Sequence, residues 1–422
     1  MVRYIYNLVT YLMIPLVLTR LWWRGRRLPT YRKRWAERFG FFTVPPLHHP
    51  IWVHAVSFGE AAAAEGLICN LKQRYPHRDI VVTALTPTGS ERIRKNFGDS
   101  VFHVYLPYDN PTSVKRFLRQ INPTLLIIME TELWPNLLYY CAQRHLSVLL
   151  ANARLSQKSM EGYQKICWLT RPMLKALTMV AAQSETDAKH FRALGLSEQK
   201  LMVTGSVKFD IDLPSDVIHQ GRALRYSWDG NRPVWIAAST HHQEEAKVLQ
   251  IFAKVREIVP DLLLILVPRH PDRFQTVYDY CCKQGYTVIK RSEGHPCRSD
   301  TDILLGDTMG ELVLLYAAAD VAFVGGSLVP TGGHNVLEPA AIGLPIITGT
   351  HLRNFQHISR LLQQAGALFI QNDTEEIQTI LGKLLKDETA RKCAQIAGQK
   401  VIQQNRGALE KHLKWIGSYL TA

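Results

Sequence analysis

From residue 50 onward the chain alternates short apolar runs with longer stretches in which apolar residues recur every three or four positions. The first runs are IWVHAV (51–56), DIVVTAL (79–85), VFHVYL (101–106), TLLIIM (124–129), SVLLAN (147–152) and MVAAQ (179–183). Their apolar residues are consecutive rather than alternating, as a strand covered on both faces requires. Helical patterns such as Ala61 to Arg74 and Ser113 to Ile121 lie between them, so the strands are expected to form a parallel sheet. The pattern then restarts with PVWIAAS (233–239), LLLILV (262–267), DILLGD (302–307), DVAFVGG (320–326), PIITG (345–349) and ALFIQ (367–371).

Between the two series, KFDIDLPSD (208–216) is acidic and holds a proline, which predicts a linker or hinge over 208–231. The expected fold is α/β: two doubly wound, parallel-sheet, Rossmann-like domains over 50–207 and 232–386, followed by helices over 387–422. A chain of 422 residues is too long for one ordinary core, in keeping with two domains. Two such sheets hinged in the middle are expected to face one cleft with the carboxyl ends of their strands, where ligands of this architecture bind.

The first fifty residues differ. YIYNLVTYLMIPLVLT (4–19) carries no charge, and as a helix it reaches about 24 Å against a hydrocarbon core of about 30 Å. Leu21-Trp22-Trp23, beyond a snorkelling Arg20, extends it to a marginal span with tryptophans at interface depth. Residues 1–23 are therefore expected to form an N-terminal membrane anchor of the signal-anchor or interfacial kind, and 24–49 a basic juxtamembrane segment. A helix packed on the protein itself is the bland alternative. The net charge of +14 is concentrated here: the first forty residues hold nine Lys and Arg against Glu37 alone. Charge gathered beside an apolar run points to an anionic membrane surface, not to nucleic acid. No small-residue cleavage site follows, and the positive-inside rule puts the remainder on the cytoplasmic side. Seven cysteines without CxxC spacing, including the adjacent Cys281-Cys282, read as reduced thiols.

Candidate chemistry lies after the strands. HAVSFGE (54–60) gives Ser57 and Glu60 the spacing of a helix capping box, yet Glu60 there can also take a proton from a hydroxyl. ETELWPN (130–136) places two carboxylates after a buried strand, a core polar network or an active-site wall. Lys208 in GSVKFDID (205–212) is a fixed positive charge; Asp210 and Asp212 form a D-x-D that linker acids explain more simply than a metal. Neither His48-His49 nor His241-His242 has paired ligand spacing elsewhere, so no metal is expected. Pro268-Arg269 in a rigid setting suits a phosphate or carboxylate. GDTMGEL (306–312), with Thr308 and Glu311 at capping-box spacing, and GGHNVLEPAAIGLP (332–345) are both expected to open helices whose free amides favour an anion. With neither GxxxxGK[ST] nor GxGxxG after the first strand, a kinase or dinucleotide dehydrogenase is disfavoured and no cofactor is expected.

HAVSFGE, ETELWPN, NARLS, GSVKFD, PRHPDR, GDTMGEL, VGGS and GGHNVLEPAAIGLP, in this order over residues 54 to 345, closely resemble the Kdo transferases of lipopolysaccharide synthesis. Those enzymes move 3-deoxy-D-manno-octulosonic acid (Kdo) from CMP-Kdo to a lipid A precursor at the cytoplasmic face of the inner membrane. The resemblance implies an inverting GT-B glycosyltransferase, acceptor in the first domain and CMP-Kdo in the second. It implies Glu60 as general base, and Glu130 and Lys208 as transition-state stabilisers. CMP would lie on Pro268 and Arg269, on Met309, Gly310 and Glu311, and on Asn335, Val336, Leu337 and Glu338. Two rivals are a GT-B enzyme using a UDP-sugar on another membrane lipid and a silent membrane-anchored binding module.

Overall fold

The computed structural model describes residues 2–228 and 232–420; residues 1, 229–231 and 421–422, which fall in the expected anchor, linker and C-terminal segment, lie outside the described residues. The chain divides into two compact units, Met1–Asp210 with Arg406–Ala422, and Ile211–Asn405. Among the described residues, each unit is built on one seven-stranded sheet, and every strand pairing is parallel.

The first sheet comprises β1 (Ile51–His54), β2 (Ile80–Ala84), β3 (Phe102–Tyr105), β4 (Leu125–Met129), β5 (Ser147–Ala153), β6 (Met179–Ala182) and β7 (Leu201–Val203), in the order β3-β2-β1-β4-β5-β6-β7. Its direction of winding reverses between β1 and β4, the switch point at which a crevice opens past the strand ends. One face packs Trp52 and Phe117 with ring centroids 4.7 Å apart; the other packs Ile51 and Val53 on the helix Phe58–Arg74. The second sheet comprises β8 (Val234–Thr240), β9 (Leu263–Pro268), β10 (Val288–Lys290), β11 (Ile303–Leu305), β12 (Val321–Val324), β13 (Ile346–Thr348) and β14 (Leu368–Ile370). Its order is β10-β11-β9-β8-β12-β13-β14, with the switch point between β8 and β12. All twelve apolar runs named above contain strands; β7 and β10, three residues each and half-exposed, carry too little apolar pattern to be seen in the sequence.

Three expectations need correction. The apolar N-terminal run is not one helix: Val2–Leu12 and Ile14–Arg27 meet at Met13 with a bend of 41°. Pro15 causes the break, because it has no N–H to give and its ring obstructs the preceding turn. No single helix among the described residues is long and apolar enough to cross a membrane, whereas this bent pair together passes on length and composition. The expected linker is mostly helix: Ser215–Tyr226 packs in the second unit on Leu312–Ala317, with Gly221 against the Leu314 carbonyl and Arg225 paired to Asp320 at 2.9 Å. The helices of the C-terminal segment do not form one unit but are divided between the two. Glu388–Asn405 belongs to the second unit, the chain turns at Gly407 (φ +93°), and Ala408–Leu420 belongs to the first.

Polar contacts from His412 and Asp210 help hold that last helix. The buried His412 accepts the Asn152 N–H through Nε2 at 2.9 Å while its Nδ1 donates to the Ala408 carbonyl at 2.6 Å. Asp210 accepts from the N–H groups of Gly407 (2.5 Å) and Leu409 (2.6 Å), so half of the D-x-D is a helix cap. Asp210→Ala is therefore expected to destabilise the first unit by about 1–2 kcal/mol, read as an earlier urea transition, with Asp210→Asn recovering much of the loss. An unchanged transition in Asp210→Ala would show the cap to be dispensable.

Candidate active site

At the first switch point the loop after β1 leads into the helix Phe58–Arg74. The Ser57 hydroxyl oxygen accepts from the Glu60 N–H at 3.3 Å, as the capping-box spacing predicts. The return contact is different from a simple box. Glu60 Oε2 accepts from the Val56 N–H (2.9 Å) and Oε1 from the Ser57 O–H (3.0 Å). Each oxygen keeps a lone pair for a substrate proton. Burial pushes the Glu60 carboxyl up to about 7; the charges of Glu130 and Glu132 push the same way, against the Val56 and Ser57 hydrogen bonds. Near neutrality this carboxyl exists in both forms, which suits proton transfer.

Glu130 follows β4 directly, with a left-handed backbone (φ +58°) and its N–H still donating to the Ala151 carbonyl at 2.9 Å. A non-glycine residue in this conformation is costly and is held only where its surroundings fix it. Here Lys208 Nζ reaches Glu130 Oε1 at 2.9 Å, from a short turn 78 positions along the chain. Burial raises the Glu132 carboxyl to about 7, with the charge of Glu130 adding to the effect. The structure thus brings Glu60, Glu130 and Lys208 into one electrostatic cluster, with Glu132 as a further member. Asp212 is exposed and takes no part.

The second unit places its candidates at the ends of β9, β11 and β12. Pro268 closes β9, and the Arg269 N–H donates to the Thr240 carbonyl at 2.9 Å, past an irregularity where β8 and β9 diverge. Met309 and Gly310 form an exposed turn, and Gly310 has φ +92°. That conformation is not helical, so the capping box expected from Thr308 and Glu311 does not form. The helix starts at Leu312, and the Glu311 carboxylate instead accepts from the Thr308 hydroxyl and from Arg291 at 2.9 Å. In the last stretch the helix also begins late, at Leu337. Asn335 Oδ1 accepts from the Leu337 N–H (3.0 Å), and its Nδ2 donates to Glu338 Oε1 (2.9 Å), while Val336 and Leu337 are buried.

Two features of this unit were not anticipated. Glu244 is fully buried and accepts from four main-chain N–H groups: His241 (3.0 Å), Gly326 (2.7 Å), Ser327 (3.1 Å) and Leu328 (2.9 Å). It clamps the loop after β8 to the loop after β12. The second is a gathering of His241 and His270, just past β8 and β9, with His334 in the longer loop after β12, which no local feature of the sequence marks. Among the described residues no group of three or more His, Cys, Asp or Glu side chains is arranged to hold a metal ion.

Two Rossmann-like units, with carboxyls raised by burial at one switch point and glycine-containing turns past the strands at the other, have the architecture of the GT-B glycosyltransferase class. This fold is shared with a glycosyltransferase from Rickettsia africae ESF-5 (TM-score 0.55, 16% identity, 88% of this chain and 99% of that one). The UDP-GlcNAc 2-epimerase of Neisseria meningitidis shares it too (TM-score 0.56, 13% identity, 88% and 99%), so the fold by itself does not fix the reaction. Residues 33–211 match the family described as 3-deoxy-D-manno-octulosonic-acid transferase (kdotransferase), and residues 236–401 match glycosyl transferases group 1. The chain is 42% identical to the 3-deoxy-D-manno-octulosonic acid transferase of Haemophilus influenzae over 99% of both chains. It is 33% identical to that of Bordetella pertussis over 98% of this chain and 100% of the other. The protein belongs to the Kdo transferase family.

Lys208 and Glu130 give this site a testable charge balance. Lys208→Met leaves Glu130 uncompensated beside Glu60, so ionisation of Glu60 becomes harder and its pKa rises. The acid limb of kcat/KM, which should fall as pH drops through about 7, is expected to move to higher pH by about one unit in the variant. A limb that stays in place would separate Lys208 from the titration of Glu60.

Proposed function

We propose that the protein is an inverting glycosyltransferase that moves Kdo from CMP-Kdo to a lipid A precursor, lipid IVA, at the cytoplasmic face of the inner membrane, in lipopolysaccharide core synthesis. The observation that carries this is the full-length relationship to Kdo transferases together with a buried carboxyl, Glu60, raised to about 7 at a switch point. In this proposal Glu60 takes the proton of the acceptor hydroxyl as its oxygen attacks the anomeric carbon of the donor. The bond to the CMP phosphate breaks on the opposite side, giving inversion without a covalent intermediate. Glu130 and Lys208 stabilise the charge that develops. Pro268, Arg269, Met309–Glu311 and Asn335–Glu338 hold the CMP, whose negative charge on departure suits Arg269 and exposed main-chain amides.

A lipid acceptor is supported by the surface of the first unit. An apolar groove of about 690 Å³ runs between Arg3, Pro135, Tyr139, Trp168, Pro172 and Met173, three residues along the chain from Glu132. The N-terminal helix beside it is docked by its polar side. Tyr6 donates to Asp109 at 2.9 Å and Arg3 lies 3.3 Å above the ring of Tyr139, leaving Tyr4, Ile5, Leu8 and Leu12 exposed.

Purified protein, CMP-Kdo and a tetra-acylated lipid A precursor should give a lipid heavier by one or more Kdo units in mass spectrometry. Glu60→Ala should reduce that addition by at least about 100-fold, and EDTA should leave the wild type unaffected. Addition from a UDP-sugar instead of CMP-Kdo would favour the rival transferase, and undiminished transfer by Glu60→Ala would remove the proposed base. For the membrane, wild type should sediment with vesicles containing phosphatidylglycerol. The double change Leu8→Glu and Leu12→Glu should release it, and raised salt should weaken the residual binding. Equal sedimentation of both proteins would sink this part of the proposal.

A further inference from the structure

The second switch point holds a side-chain arrangement that nucleotide gripping does not account for. His241 Nε2 and His334 Nε2 lie 2.7 Å apart, with ring planes only 4° from parallel. At that distance one ring nitrogen must donate a proton to the lone pair of the other. The ring of His270 stands edge-on to His241, with centroids 5.4 Å apart. The pair is held rigidly from behind. A Cβ at Gly326 would come within 3.0 Å of the His334 ring, so the imidazole lies directly on glycine backbone. Glu244 fixes the main chain of both His241 and Gly326.

The groups facing the pair come from three loops. The loop after β9 contributes Arg269, His270 and Arg273; the loop after β8 contributes Glu244; the pair itself spans that loop and the one after β12. The facing acid, Glu244, is already engaged by four amides, and its neighbour Glu245 is paired with Arg273 at 3.0 Å. What faces the pair is otherwise positive or protonatable. Burial and this company drive the His334 imidazole down to about 4, and burial lowers His241 as well. Without a ligand, therefore, both rings are neutral at pH 7. Their position adjoins both proposed nucleotide segments: His270 follows Arg269 and His334 precedes Asn335.

We propose that the His241–His334 pair is a proton-sharing anion seat, which takes up one proton when the donor's phosphate binds and delivers it to the departing phosphate oxygen. An arriving phosphate supplies the negative charge that the pair lacks and makes the shared imidazolium stable. When the acceptor oxygen bonds to the anomeric carbon, the sugar–phosphate bond breaks and its electron pair stays on the phosphate oxygen. The imidazolium proton passes to that oxygen, leaving CMP one charge less negative, while the acceptor's proton goes to Glu60. This inference rests on the proposed CMP-activated donor.

The test is calorimetry of CMP binding to the full chain at pH 8, in buffers of different ionisation enthalpy, which counts protons taken up. Free CMP is already dianionic there, its second phosphate pKa being about 6, so a gained proton belongs to the complex. Wild type is expected to take up about one proton, and His334→Gln and His241→Gln less than about a quarter of one. The kcat for transfer should fall about 100-fold in either variant. If His334→Gln fails to fold, the half-exposed His241→Gln carries the test. CMP bound by wild type without proton uptake, or with equal uptake by a folded variant, would overturn the inference and leave the donor intact. A wild-type protein that binds no CMP would overturn the donor itself.

Discussion

Covering both faces of a parallel sheet leaves polar chemistry only one place to go, the turns past the strand ends. All four residues of β1 are fully buried, and so are all five of β4. Polar groups inside pair with one another: the Trp52 indole donates to the Thr83 hydroxyl at 2.8 Å, which in turn pairs with His54 Nδ1 at 2.8 Å, although His54 Nε2 has no protein partner. The candidate carboxyls appear one to six residues further on, at Glu60 after β1 and Glu130 after β4. Since β1 and β4 are neighbours at the point where winding reverses, the turns that carry these carboxyls flank the switch point of the sheet.

Two buried glutamates show how environment separates structure from chemistry. Glu244 accepts four main-chain N–H groups, enough to satisfy a carboxylate within the protein, and it serves as a clamp. Glu60 accepts two hydrogen bonds and has two other carboxylates close enough to oppose its charge. Glu60, with fewer donors and two neighbouring carboxylates, is raised by burial to about 7. Lys208 pairs with Glu130, one of the carboxylates whose charge opposes that of Glu60.

Much of this was legible in the chain, for physical reasons that differ by element. Central strands announce themselves because covering both faces demands unbroken apolar runs, as in LLIIM of β4. Edge strands such as β10, half-exposed throughout, make no such demand. Spacing was a weaker guide than pattern. Ser57–Glu60 and Thr308–Glu311 have the same capping-box signature, but only the first caps a helix, since Gly310 takes a left-handed turn that no helix accommodates. Partnerships across sequence were invisible: His241 and His334 meet across 93 positions, and Asp210 caps a helix 197 positions away. Nothing local distinguishes a histidine at a strand end from one on a surface. Only the topology, which puts β8 beside β12, brings the two together.

The N-terminal helix raises the opposite question, because its amphipathic pattern is inverted. Arg3, Tyr6, Asn7 and Thr10 lie on the side toward the protein, while Tyr4, Ile5, Leu8 and Leu12 point away from it. A helix folding onto a soluble core would do the reverse. Tyr6 is tied to Asp109, a buried carboxylate that also accepts from the N–H groups of Asn136 (2.9 Å) and Leu137 (2.7 Å), so the helix is anchored to the turn that follows Glu130 and Glu132. On the proposal that this face meets a membrane, each outward leucine or isoleucine would gain about 1.5–3 kcal/mol on leaving water, which is the physical reason an apolar face can be left uncovered here.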